Sequence, residues 1–128
     1  MAAIRVLFVD DEEAFRTVVH QQLTKEGFEV ETAEDGDVAL DLIRARPYDI
    51  VLLDMRMGRM DGTEVLRTMK AEHRTPHVIM LTGVSELGPA IECLKLGADD
   101  YLTKPYSTAH LIACMQRVLS GKRNAKTH

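Results

Sequence analysis

Ile50-Val51-Leu52-Leu53-Asp54 sets four apolar residues in a row before a single carboxylate. No polar residue alternates through the run, so it reads as a strand covered on both faces, as in a parallel sheet. The acid at its end falls at the carboxyl edge of that sheet, where open α/β folds bind ligands. The pattern recurs: Val6-Leu7-Phe8-Val9 runs into Asp10-Asp11, Val78-Ile79-Met80-Leu81 into Thr82, and Tyr101-Leu102 into Thr103-Lys104-Pro105. Three carboxylates, a hydroxyl and an ammonium are therefore expected at one end of one sheet.

Amphipathic stretches separate these strands. Residues 12–26 carry Ala14, Phe15, Val18, Val19, Gln22 and Leu23 at helical spacing, and Gly27 is a natural terminator. Phe28 to Ala33 alternates apolar and charged residues, the pattern of a strand with one wet face and hence of a sheet edge. Further helices are predicted over 36–45 (Val38, Ala39, Leu42, Ile43), 63–72 (Val65, Leu66, Met69) and 87–96, the last with Pro89 in its first turn and Gly97 at its end. A fifth, over 107–119, opens after Ser107, a plausible N-cap. The remaining strands span 4–9, 77–81 and 99–102. Five βα units in alternation predict an α/β domain of flavodoxin-like (βα)5 form: a doubly wound, five-stranded parallel sheet in the order 2-1-3-4-5 with helices on both faces. In that order Asp10, Asp11 and Asp54 meet at the switch point between the first and third strands.

Composition narrows the function. The 128 residues suit one domain, 45% hydrophobic and 28% charged, with a net charge of −4 that offers no basic footprint for nucleic acid. Lys122, Arg123 and Lys126 read as a solvated tail. No apolar run approaches the ~18 residues of a membrane span, and Met-Ala-Ala leads straight into a strand with no secretory signal. Cys93 and Cys114 lie beside apolar residues in predicted helices and read as free core thiols, which points to a reducing cytoplasm. Pro76 between His73 and His77 breaks any helix that would align them for zinc. The methionines at 55, 57, 60, 69 and 80 read as packing residues.

Three carboxylates packed together repel, and a hard divalent ion relieves the strain at neutral pH. Mg²⁺ (or Mn²⁺) takes oxygen ligands and keeps several waters, using one or two carboxylates together with phosphate oxygens. A carboxylate beside such an ion and a lysine can attack a phosphoryl group and hold it as an acyl phosphate. Asp54, alone at the end of the central strand, is the best nucleophile, and Asp10 and Asp11 suit metal ligation.

Asp10-Asp11, Asp54 within Leu-Leu-Asp-Met-Arg-Met-Gly-Arg-Met-Asp-Gly, Thr82-Gly83 and Lys104-Pro105 stand in order on the matching elements. With them the chain resembles the receiver domain of bacterial two-component response regulators, similar to the single-domain chemotaxis and sporulation-relay members, over about residues 4–120. The resemblance implies that Asp54 accepts a phosphoryl group from a histidine kinase or phosphotransfer protein. It implies that Asp11 ligates the metal directly, Asp10 through water, and Arg56 through its backbone carbonyl. Thr82, Gly83 and Lys104 would bind phosphate oxygens, the Lys104–Pro105 bond would be cis, and Tyr101 would be the switch aromatic that turns inward when Thr82 moves. The face made by the fourth helix, fifth strand and fifth helix would then engage a target protein, an effector domain or a second copy of the chain. Residues 1–120 are expected to form the receiver and 121–128 a basic tail or the start of a linker; the chain reads equally as a stand-alone module or as part of a longer regulator.

The chain departs from the pattern at three places. Gly58 stands where the family usually has proline, Gly88-Pro89 predicts an irregular start to the fourth helix, and Arg56 and Val84 occupy positions that in the family affect phosphoryl lifetime. Three rival readings fit less well. An aspartyl-phosphate hydrolase wants an acid two residues after the nucleophile, where Arg56 stands. A flavodoxin-like cofactor carrier wants a hydroxyl- and glycine-rich loop where Asp10-Asp11-Glu12-Glu13 would repel phosphate. A degenerate scaffold would lack a site residue, and none is missing.

Overall fold

The computed structural model describes residues 3–58 and 60–121. In chain order the elements are β1 (Arg5–Val9), α1 (Glu13–Lys25), β2 (Glu29–Ala33), α2 (Gly36–Ala45), β3 (Ile50–Asp54), α3 (Gly62–Ala71), β4 (His77–Thr82), a 3₁₀ turn (Val84–Glu86), α4 (Leu87–Lys95), β5 (Asp100–Thr103) and α5 (Thr108–Leu119). The five strands are parallel in the order β2-β1-β3-β4-β5. The basic residues 122–128 lie outside the described residues.

The unbroken apolar runs have a simple cause. Leu7, Val9, Val51, Leu53, Val78 and Met80 project to one face and pack under α2, α3 and α4 with Ala39, Ile43, Leu66, Met69 and Cys93. Val6, Phe8, Ile50, Leu52, Ile79 and Leu81 project to the other and meet Val19, Leu23, Leu111, Met115 and Val118 of α1 and α5. Successive strand residues point to opposite faces, so a sheet covered on both sides needs an apolar residue at every position. Cys93 and Cys114 are both buried free thiols, and they belong to clusters on opposite faces of the sheet.

Helix boundaries follow local chemistry. Asp35, Asp61 and Ser107 each accept a backbone N–H with the side chain at an N-terminus, from Val38, Glu64 and His110. Gly27 and Gly97 follow α1 and α4 at positive φ, 97° and 111°.

Several elements differ from the sequence reading. Val18, included in the apolar stripe of the first helix, is 48% exposed; α1 packs instead through Val19 and Leu23 with Phe15 partly buried, because the helix is tangent to the sheet over a narrow line. β2 does lie at the edge, yet its polar face is not simply wet. Glu31 takes ion pairs from Arg5 and Arg46 and accepts the Tyr48 hydroxyl, so the edge is closed by charge. β4 runs through Thr82, whose register partner is Thr103 of β5. The start of the fourth helix is irregular as expected: the 3₁₀ turn runs directly into α4, with Pro89 its third residue. No described helix is long and apolar enough to cross a membrane.

Gly62 opens α3 against the end of β3. A Cβ at that position would lie 2.3 Å from the Asp54 carbonyl oxygen and 3.0 Å from Met80 Cε. The backbone itself is the obstacle, so a side chain here forces the β3 end to move. Gly62→Ala should cost about 2–4 kcal/mol in urea unfolding, in the class of buried backbone clashes; a loss below ~0.5 kcal/mol would show that the close approach is not a constraint.

Candidate functional site

Parallel strands that end together deliver their next residues to one rim. Asp10 follows β1, Asp54 ends β3, Thr82 ends β4 and Lys104 follows β5. Asp10 is 3% exposed; its Oδ1 accepts the Glu12 N–H at 2.8 Å, and its carbonyl accepts Arg16 Nη1 at 2.8 Å. Asp11, next in the chain, is exposed. Asp54 is 4% exposed; its Oδ1 accepts the Arg56 N–H at 3.2 Å and its Oδ2 accepts Lys104 Nζ at 2.9 Å. One carboxylate oxygen from each of Asp10, Asp11 and Asp54 can be chosen so that all three lie within 4.8 Å of one another. The group borders an open cavity of about 600 Å³ whose wall also includes Lys104, Gly83 and Tyr106.

Electrostatics at the cluster run against ionisation. Burial pushes the Asp54 carboxyl up to about 6, and the Asp10 charge adds to the rise; the Lys104 ammonium and the Arg56 N–H work the other way. Burial opposes the Lys104 charge too, but the hydrogen bond to Asp54 and the charges of Asp54, Asp10 and Asp11 hold its ammonium above the ordinary value. Lys104 is thereby kept cationic while its partner is kept easy to protonate.

The remaining expected residues fall as follows. Thr82 is fully buried, and its hydroxyl donates to the Gly83 carbonyl at 3.0 Å, so Gly83 lines the cavity and Thr82 sits behind it. Lys104–Pro105 is cis, and the Lys104 N–H donates to the Thr82 carbonyl at 2.7 Å. Tyr101 is half-buried against the cluster that contains Ala90 and Cys93 of α4. Arg56 borders the cavity, and the methionines 55 and 57 of the same loop are buried beneath it.

Two residues of the cavity wall were not anticipated. The Tyr106 hydroxyl is buried with no hydrogen-bond partner, and its ring stands edge-on to Phe15 at 5.9 Å. Burial and the charges of Asp10 and Asp54 push its pKa well above the usual phenol range, so it remains a donor. The aromatic directly after Lys104-Pro105 was the available signal. Glu86 is the other: it lines the cavity from the 3₁₀ turn, which no periodic pattern announces.

All the candidate ligand atoms are hard oxygens, and Tyr106 leaves a buried donor at the same wall that a water or ligand oxygen can satisfy. That set fits a hydrated Mg²⁺ or Mn²⁺ and does not fit a soft metal.

Comparison with known proteins places the chain. A family profile described as response regulator receiver domain matches residues 6–116. The response regulator MprA of Mycolicibacterium vanbaalenii is 39% identical over 116 residues, 91% of this chain and 50% of that protein, so the chain spans about half the length of this curated relative. A CheY-like receiver domain protein from Methanospirillum hungatei superposes with a TM-score of 0.88 at 31% identity, covering 94% of this chain and 96% of that one. The receiver domain of the Francisella response regulator 1452 gives 0.86 at 31% identity, covering 92% and 98%.

The raised Asp54 value has a consequence for stability. Its folded value, about 6, lies above the ordinary aspartate value of 3.8, so the carboxyl's contribution to folding is fully present below pH 3.8 and is lost as pH rises through about 6. In divalent-free buffer Asp54→Asn should therefore stabilise the fold by about 1–3 kcal/mol at pH 7.5, with the gain fading as pH falls from 6 to 4. Urea unfolding of both proteins across that range checks it; a variant that is less stable at every pH would contradict it.

Proposed function

The chain belongs to the response regulator receiver domain family, a signalling module of two-component systems, and on that footing we propose that Asp54 is its phosphoacceptor. The observation that carries this reading is the meeting of Asp10, Asp11 and Asp54 within 4.8 Å with Lys104 Nζ 2.9 Å from Asp54. An Asp54 carboxylate oxygen attacks phosphorus, the bond from phosphorus to the donor's nitrogen or oxygen breaks, and the donor leaves with that electron pair. Lys104 neutralises the equatorial oxygens, and the Gly83 backbone and the Thr82 hydroxyl complete the phosphate cradle.

Asp11, Asp54 and the Arg56 carbonyl would hold Mg²⁺ or Mn²⁺, with Asp10 acting through water. When bound, the ion offsets charge on the transferring oxygens and relieves repulsion among the acids. The chain assists its own phosphorylation and does not turn over a free substrate. Its donor is a histidine kinase or phosphotransfer protein, and its setting is the cytoplasm.

The switch follows from the added charge. The Thr82 hydroxyl, which here donates to Gly83, turns to a phosphoryl oxygen, and Tyr101 moves into the space it leaves. Tyr101 packs against the cluster that holds Ala90 and Cys93 of α4, so the motion reaches the α4–β5–α5 face, where a target protein, an effector domain or a second copy would bind. Residues 1–120 constitute the module, and 121–128 a tail or linker.

Incubation with Mg²⁺ and acetyl phosphate or phosphoramidate, followed by intact mass, tests the proposal. One phosphoryl group should be gained by the parent chain and none by Asp54→Ala. No adduct from any small donor or kinase would leave a protein-binding scaffold, and sustained release of phosphate from an ester would indicate a hydrolase.

A further inference from the structure

Arg56 and Glu86 belong to different loops, one after β3 and the other in the 3₁₀ turn after β4, yet Arg56 Nε lies 3.6 Å from Glu86 Oε2. Both line the acidic cavity, and both also line the neighbouring depression beside Met57 and Pro89, so the pair stands as a partition between the two. The partners are unequally held. The Glu86 side chain is 16% exposed, whereas that of Arg56 is 79% exposed.

Glu86 is held within its own turn: the Ser85 hydroxyl donates to Oε2, Oε1 lies over Gly83, and the Glu86 N–H donates to the Gly83 carbonyl at 3.1 Å. Among the described residues Glu86 is the ion-pair partner of the Arg56 guanidinium. The Arg56 N–H donates to Asp54 Oδ1 at 3.2 Å, which places the root of the side chain beside the Asp54 carboxylate. Among the described residues lining that cavity, Lys104 and Arg56 are the two cations, against Asp10, Asp11, Glu12, Asp54 and Glu86.

We propose that Glu86 is a positioning residue that docks the Arg56 guanidinium at the rim of the acidic cavity, and that Arg56 exchanges Glu86 for a tetrahedral oxyanion seated on Asp54. The inference rests on the phosphoacceptor reading of that site. A guanidinium suits the exchange because its planar fork serves carboxylate and phosphate equally well. Glu86 therefore competes with the phosphoryl group for one cation, and the strength of the pair sets how firmly the group is held. The exposed half of the pair limits the effect to the range of partly exposed ion pairs, about two- to five-fold in affinity, and salt weakens it.

The test is a double-mutant cycle with beryllofluoride in Mg²⁺ as the phosphoryl mimic, its dissociation constant measured by calorimetry for the parent chain, Glu86→Gln, Arg56→Ala and the double variant. Glu86→Gln should tighten binding about two- to five-fold, and Arg56→Ala should weaken it. In the Arg56→Ala background the Glu86→Gln gain should vanish, and in the parent background it should shrink as KCl is raised. In divalent-free buffer the Arg56 Nε–H resonance should shift on Glu86→Gln, a readout that needs no bound anion. An equal gain in both backgrounds would show that Glu86 merely repels the anion, and an unchanged constant in Glu86→Gln would show that the pair is idle; either result overturns the proposal while leaving Asp54 as acceptor. Failure of the parent chain to bind beryllofluoride at all would overturn the phosphoacceptor reading and this inference together.

Discussion

Lys104 and Asp54 are fifty positions apart in the chain, one just after β5 and the other at the end of β3, strands that do not pair, yet Nζ lies 2.9 Å from Oδ2. The lysine reaches across the end of β4 to get there, and its backbone is pinned by donation to the Thr82 carbonyl at 2.7 Å. Asp54 has Asp10 and Asp11 within a few ångströms, and among the described residues the cation paired with it is Lys104. Take it away and a nearly buried carboxylate is left facing two others, a situation that costs far more than the pair itself contributes.

The fold is arranged to make that crowding tolerable. Burial on both faces of the sheet makes β1 and β3 rigid rods, so their terminal acids cannot splay apart to relieve repulsion. Gly62 lets α3 start in contact with the Asp54 carbonyl, which holds the end of β3 from behind. The apolar core supplies the stability, and part of it is given up at the rim, where the three acids are held within 4.8 Å of one another. The loops after β3, β4 and β5 carry Arg56, Gly83, Glu86 and Tyr106 to the wall of the same cavity. Glu86 reaches the same wall from the 3₁₀ turn, 3.6 Å from Arg56.

How much of this was legible in the sequence depended on whether a residue's role is set by its own strand or by a neighbour. Val51 and Leu52 announce a two-sided strand because each needs an apolar partner on its own face, and Asp54 inherits its place from them. Ser107 and Gly27 mark helix ends through local hydrogen bonding and backbone freedom, which neighbouring residues cannot alter much. Val18 was misjudged because helical spacing gives a stripe's direction but not the width of the contact, which is set by how α1 lies on the sheet. Glu31 looked solvent-facing because Arg5 and Arg46, which cover it, come from other elements. Glu86 was invisible as a site residue for the same reason: the turn that carries it has no periodicity, and only the folded chain shows that it shares a wall with Asp54, whereas Tyr106 had its place directly after Lys104-Pro105 as a signal.

The central claim is that the Asp54 carboxylate is held in an environment that resists its charge until a cation relieves it. The direct measurement is a ¹³C titration of the Asp54 carboxyl carbon by NMR, with and without Mg²⁺. The account predicts a midpoint near 6 in divalent-free buffer, and a midpoint moved well below the ordinary carboxylate range when Mg²⁺ is present. A midpoint of about 4 that Mg²⁺ does not move would mean that Asp54 is an ordinary surface acid, and the cluster would then be neither strained nor a cation site.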